Sequence, residues 1–236
     1  MVGCRLIGYE LILNHLMNLL VLIFTLKKIP TLSWSSVNTL NLKPKNITLI
    51  YLVFGLILFG LGETLLITAN IGVSPWTVLA QGMSFKTGYS IGLTTFVVSI
   101  SVLCLWIPLK QKPGIGTILN TIIISIVLDV SLPYLPTPES FFFQILQVFI
   151  GVGMVGLGSG FYLISNLGPG SRDGLMTGLQ KTTNLPIALI RTIIEISAVV
   201  CGWYLGGLVG IGTIVFALGI GPAVSVGLFF VSRCIK

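Results

Sequence analysis

The chain has 236 residues, of which 54% are hydrophobic and only 8% charged, and its mean hydropathy is +1.04. A soluble domain of this length cannot hide so much apolar surface, so the composition excludes one and makes the lipid bilayer the partner. The formal charge of +7 does not point to nucleic acid, because the basic residues stand singly or in pairs between apolar runs, a pattern that orients a chain in a membrane.

Residues 1–45 read as an extension with one marginal apolar run, Leu11 to Leu26, broken by Asn14, His15 and Asn18 and followed by Lys27-Lys28. Arg5 ahead of it hints at a signal peptide, but no small-x-small cleavage site follows. An extra helix with its N-terminus outside, a helix lying on the membrane surface and a start codon assigned too far upstream all stay open. His15 has no companion at metal-ligand spacing, and the four cysteines lack a CxxC, so neither metal nor cofactor is called for.

From residue 46 on, six apolar runs are each about long enough to cross a hydrocarbon core: Thr48 to Thr68, Ile91 to Leu109, Ile115 to Leu132, Phe141 to Ile164, Ile187 to Leu205 and Val209 to Val231. Two shorter pieces, Pro75 to Phe85 and Arg172 to Lys181, reach only about half that depth. The series is written twice. Gly60-Leu61-Gly62 returns as Gly156-Leu157-Gly158, Asn70-Ile71-Gly72 as Asn166-Leu167-Gly168, and Gly114-Ile115-Gly116-Thr117-Ile118 as Gly210-Ile211-Gly212-Thr213-Ile214, each pair 96 positions apart. A period this long is a duplicated half, here residues 46–135 and 140–236 of one transmembrane domain.

An odd number of spans per half turns the second half over, which predicts an all-α bundle of two inverted repeats, each of three transmembrane helices and one short re-entrant or interfacial helix. Loop charge agrees. With six crossings one side receives Lys43, Lys45, Lys110, Lys112, Arg172, Lys181, Arg233 and Lys236, and the other Lys86 alone. The positive-inside rule then puts the Lys110 loop and the C-terminus in the cytoplasm.

Glycines crowd Gly151 to Gly160 and Gly206 to Gly212, where small residues let helix backbones approach closely in lipid. Cys104 and Cys201, inside apolar runs, read as small packing residues. The loops opening the short helices carry Asn70 and Asn166, each followed by glycine and by a serine, Ser74 or Ser171, suited to cap a helix. Pro75 suits a first helical position. Dipping into the membrane, such helix starts would offer free N–H groups to an anion; lying at the headgroups, they would use Trp76 as an interfacial anchor.

Charges at membrane depth single out the same region. Arg191 and Glu195 are four residues apart on one helical face, an ion pair that lowers the insertion cost of both, near the expected place of Arg172 and Asp173. Their mates in the first half, Thr95, Ser99, Trp76 and Thr77, are uncharged, and Glu63 and Asp129 are the acids expected on the outer side. A charged inner vestibule opposite a milder outer one follows from this division.

The run Gly60-Leu61-Gly62-Glu63 to Asn70, then Gly72-x-Ser74-Pro75-Trp76, with Arg172-Asp173-Gly174-Leu175-Met176-Thr177-Gly178 and Arg191-Thr192-x-x-Glu195 later, resembles the YczE-like family of bacterial integral membrane proteins. That resemblance, over about Thr48 to Pro222, implies a multi-pass helical protein of the bacterial cytoplasmic membrane and leaves its activity open. Two function classes then stand. One is a secondary transporter of a small organic or anionic solute, with Arg172, Asp173, Arg191, Glu195, Asn70 and Asn166 about the solute and Glu63 and Asp129 as coupling groups. The other is a non-transporting accessory or scaffold protein, whose charged pairs are structural. An enzyme is not expected, since neither an HExxH motif nor paired catalytic aspartates occur.

Overall fold

Each helix start in the first half has a counterpart in the second. The computed structural model describes residues 29–235, and within them lie α1 (Asn46–Ala69), α2 (Pro75–Thr87), α3 (Ile91–Trp106), α4 (Ile115–Ser131), α5 (Phe141–Ser165), α6 (Ser171–Thr183), α7 (Ile187–Tyr204) and α8 (Ile211–Cys234). Pro75 and Ser171, Ile91 and Ile187, and Ile115 and Ile211 are each 96 positions apart. The apolar run Leu11 to Leu26 and His15 lie outside the described residues.

All described elements are helices, as a chain in lipid requires when its backbone must satisfy its own hydrogen bonds. Four of them, α1, α5, α7 and α8, are long and apolar enough to cross a membrane, fewer than the six spans expected. The shortfall lies in the first half. The α3 helix ends at Trp106, because Ile107 to Lys110 form a turn, and its 16 residues meet α2 at a 116° bend that makes the pair a broken span or a re-entrant loop. With 17 residues, α4 also falls short of the roughly 20 that a perpendicular span uses.

At the centre α1 packs on α5, with Leu52, Leu56 and Leu66 against Val148, Val152 and Val155. Glycines set this contact: a Cβ on Gly62 would lie 2.7 Å from the Gly151 carbonyl, and one on Gly158 would lie 2.7 Å from the Phe59 nitrogen. Gly55 meets Gly158 while Gly62 meets Gly151, so the partner number falls as the residue number rises and the two helices run antiparallel. Outside them α4 packs on α1 and α8 on α5, the latter through Gly156 on Ala223 and Gly160 on Gly227. Gly153, expected to pack with its neighbours, has nothing within 4 Å of a Cβ.

The short helices trade partners. The α2 helix packs on α7 of the other half and α6 on α3. The loops interlock in the same way: Gly116 N–H donates to the Leu167 carbonyl at 2.7 Å, and Gly212 N–H donates to the Ile71 carbonyl at 2.8 Å. A contact between i and j that recurs between i+96 and j−96 is the signature of a two-fold relation between the halves. Gly72 and Gly168 make this lock feasible with φ of +116° and +112°, since a side chain there would strike the Thr213 amide or the Thr117 hydroxyl.

Polarity is distributed as lipid demands. Ile50, Phe54, Ile126, Phe149, Ile196, Trp203 and Leu218 face outward, whereas Thr64, Thr68, Thr117, Thr121 and Ser159 are buried. Cys104 and Cys201 are exposed on this outer surface and are not the packing residues the sequence suggests. Residues ahead of α1 close one end: Trp34 is buried among Phe161, Ile164, Leu228 and Val231, and Ser36 N–H donates to the Ser165 carbonyl at 3.0 Å.

Candidate functional site

The first turns of the short helices meet at the two-fold relation. Trp76 of α2 and Arg172 of α6 are mates 96 positions apart, and the Arg172 guanidinium carbon lies 5.2 Å from the centre of the Trp76 ring. Residues that touch their own mates lie on the axis between the halves. A cavity of about 350 Å³ opens there, lined by these first turns and by α1, α3, α4, α5, α7 and α8.

Both short helices pack one face into the bundle and expose their last turn. Trp76 is buried under Arg172, which corrects its reading as a headgroup anchor, and α6 buries Ser171, Gly174, Leu175, Met176 and Gly178. The serines do not cap as expected. The Ser74 hydroxyl turns to Glu63 and makes no cap bond, while Ser171 is the first helical residue and Gly170 stands at the cap position.

Four of the eight residues singled out in the sequence line the cavity together: Arg172, Asp173, Arg191 and Glu195. The Arg191 Nε–H donates to Glu195 Oε1 at 2.8 Å, so that pair neutralises itself. Asp173 is taken up differently, its Oδ2 accepting from the Tyr162 hydroxyl at 2.9 Å, and the same hydroxyl accepts from Gly170 N–H at 2.6 Å. In the first turn of α6 this carboxylate also meets the positive end of the helix. Both acids in the cavity are therefore engaged. Among the described residues Arg172 has no carboxylate within salt-bridge distance and is held by the Trp76 face, which attracts a cation through its quadrupole.

Across the cavity stand Thr95 and Ser99 of α3, the mates of Arg191 and Glu195. The Thr95 hydroxyl is buried, 4% exposed as a residue, and has no hydrogen-bond partner among the described residues. One cavity thus holds both sets of mates, in place of separate inner and outer vestibules. Its remaining wall sets Phe59, Ile124, Phe216, Ile220 and Val224 beside the polar Asn120, Thr121 and Ser159.

The other four residues lie elsewhere. Asn70 and Asn166 end α1 and α5 in the left-handed conformation, with φ of 56° and 52°. Asp129 holds the start of α3, accepting from Gly92 N–H at 2.7 Å and from the Ser90 hydroxyl at 2.6 Å. Glu63 of α1 is buried beside the start of α2, where Oε2 accepts from Ser74 at 2.9 Å and from Thr77 at 2.8 Å while Oε1 has no partner among the described residues.

The mates explain this placement. Thr77 corresponds to Asp173, so each half ties a long helix to the third residue of a short one through a carboxylate and a hydroxyl. In the first half the acid is on the long helix, and in the second it is on the short one. Sequence reasoning missed Tyr162, although a tyrosine eight residues ahead of Gly170 within an apolar run was the available signal.

The fold and this polar-cored, apolar-coated surface define a multi-pass helical membrane protein. The chain belongs to DUF6198, described as a family of unknown function, which it matches over residues 46–228. It is 38% identical over 205 residues to an uncharacterized protein of Haemophilus influenzae, covering 87% of this chain and 93% of that one. Two Bacillus subtilis proteins are also similar: the uncharacterized membrane protein YczE, 28% identical over 70% of this chain and 77% of its own, and the uncharacterized protein YyaS, 26% identical over 70% and 84%. These relatives agree with the YczE-like resemblance of the sequence motifs. No solved structure matches the chain.

Proposed function

We propose that the protein is a secondary transporter of a small organic anion, which occupies the cavity between the halves with its charged group on Arg172. The observation that carries this reading is Arg172 itself, which lines a cavity at the start of a short helix with no carboxylate within salt-bridge distance among the described residues. Free N–H groups of that first turn add to the attraction for an anion. Broken helices meeting at the interface of two repeats are where such transporters bind their substrates.

In this reading the halves are inverted in the bacterial cytoplasmic membrane, with the Lys110 loop and the C-terminus in the cytoplasm. The antiparallel packing of α1 on α5 supports the inversion, and the relatives in Haemophilus and Bacillus support a bacterial setting. The activity is passage of a solute and not catalysis. A scaffolding role draws on one observation, the outward apolar face of α7, of which only 17% is buried.

Arg172→Gln tests the two readings. A transporter variant keeps its fold, measured by melting temperature in detergent, and loses at least tenfold in anion flux in proteoliposomes. Unchanged flux in the folded variant refutes the role of Arg172, and absence of flux for the wild-type protein across a broad anion panel favours the scaffold.

A further inference from the structure

Charge and polarity in the cavity specify more than an anion. Of the two arginines lining it, Arg191 is neutralised by Glu195, which leaves Arg172 as the one of the pair with no carboxylate within salt-bridge distance among the described residues. Asp173 stands in the same wall and repels any second negative charge a solute brings, while the Arg191–Glu195 pair cancels itself. The volume of about 350 Å³ is at the small end for ligand sites, and Ile124, Phe216, Ile220 and Val224 offer it no polar group. Dicarboxylates, phosphate esters and other multiply charged solutes therefore find one cation without an ion-pair partner, an acid beside it and, among the described residues of the lining, no second free cation to hold the added charge.

A second polar point is fixed independently of Arg172. Thr95 lines the cavity, is nine-tenths buried, and its hydroxyl has no partner among the described residues, so it stays unsatisfied until something hydrogen-bonds to it. Its neighbour one turn on, Ser99, lines the same wall.

We infer that the solute is an organic monoanion with an apolar body: one carboxylate on Arg172, the body against Ile124 and the α8 residues Phe216, Ile220 and Val224, and one neutral hydrogen-bonding group on Thr95. This rests on the cavity being the solute site and adds the chemical class of the solute, with Thr95 as the residue that selects for the neutral polar group.

The test uses the full chain in lipid nanodiscs at constant ionic strength, with melting temperature reporting binding to the native state. Probes are butyrate and hexanoate, the 2-hydroxy acids of the same lengths, succinate and citrate, and butyramide and hexanamide. Monocarboxylates are expected to stabilise the wild-type protein, the 2-hydroxy acids more strongly, with succinate, citrate and the amides at least tenfold weaker. Arg172→Gln removes the response to all acids. Thr95→Val keeps the response to butyrate and removes the 2-hydroxy advantage, about fivefold for one hydrogen bond.

Succinate or citrate binding as well as butyrate overturns the monoanion class, and amides binding as well as acids overturns the role of charge. In both cases the cavity stands as a solute site. A 2-hydroxy advantage that survives Thr95→Val overturns the assignment of Thr95. No response of the wild-type protein to any probe refutes the monoanion class and the site together, whereas binding without flux in proteoliposomes removes transport and leaves the solute class intact. The comparison among probes is made on the wild-type protein, so it holds even where a variant fails to fold.

Discussion

Trp106 and Gly174 fill one volume between them. A Cβ on Gly174 would fall within the Trp106 ring, which is 2% exposed and donates its Nε1–H to the Ser171 carbonyl at 2.9 Å. The mate pair reverses the sizes, with Gly202 taking the place of the tryptophan and Val78 that of the glycine. Either order fills the gap, so bulk is conserved across the contact and not at a position. Gly174→Val is expected to destabilise by about 1–3 kcal/mol through overpacking, seen as a lower melting temperature. Adding Trp106→Gly recreates the packing of the other half and recovers part of the loss. The indole bond to Ser171 is not restored, which sets the limit to recovery. No reading of either residue alone exposes this coupling, because it appears only when the two halves are laid on each other in space.

At the level of elements, the ends of α1 and α5 carry the same device under different loads. Asn70 and Asn166 both take the left-handed conformation that stops a helix, and the asparagine-glycine recurrence made both turns legible in the sequence. Their side chains differ: Asn166 Nδ2–H donates to the Ser36 carbonyl at 2.8 Å, anchoring the segment ahead of α1, whereas the Asn70 side chain has no partner among the described residues. Asn70→Gly is therefore expected to leave the melting temperature nearly unchanged, since glycine adopts the same φ freely. Asn166→Gly loses a hydrogen bond of about 0.5–1.5 kcal/mol. Alanine at either position costs about 1–2 kcal/mol for the backbone conformation. Equal losses for the two glycine variants would refute the anchoring role. Helix ends could be read from local residue types, but the exchange of partners by α2 and α6 could not, since the period gives an order along the chain and no rule for which half a short helix packs against.

On the scale of the whole molecule, the recurrence at 96 residues predicted the number, order and starts of the helices from 46 onward, and the ion pair of Arg191 and Glu195 followed from helical spacing. The site itself was half legible: the charged residues of the second half were found, while Thr95 was marked only as an uncharged mate and Tyr162 carries no charge to mark it. The inverted arrangement has a direct test. In a chain whose four native cysteines are replaced by serine, Gln111→Cys and Glu139→Cys are labelled from outside the cell with a membrane-impermeant maleimide. Reaction at Glu139→Cys and protection at Gln111→Cys are expected, and the opposite pattern reverses the orientation. The stacking of Arg172 on Trp76 bears on how such a chain arose. A dimer of two identical subunits must place the same residue on both sides of its axis, arginine against arginine or tryptophan against tryptophan. Only once there were two copies of the gene could the two positions mutate apart, so an arginine facing a tryptophan across the centre of this fold postdates the duplication and could not have been inherited from a symmetric ancestor.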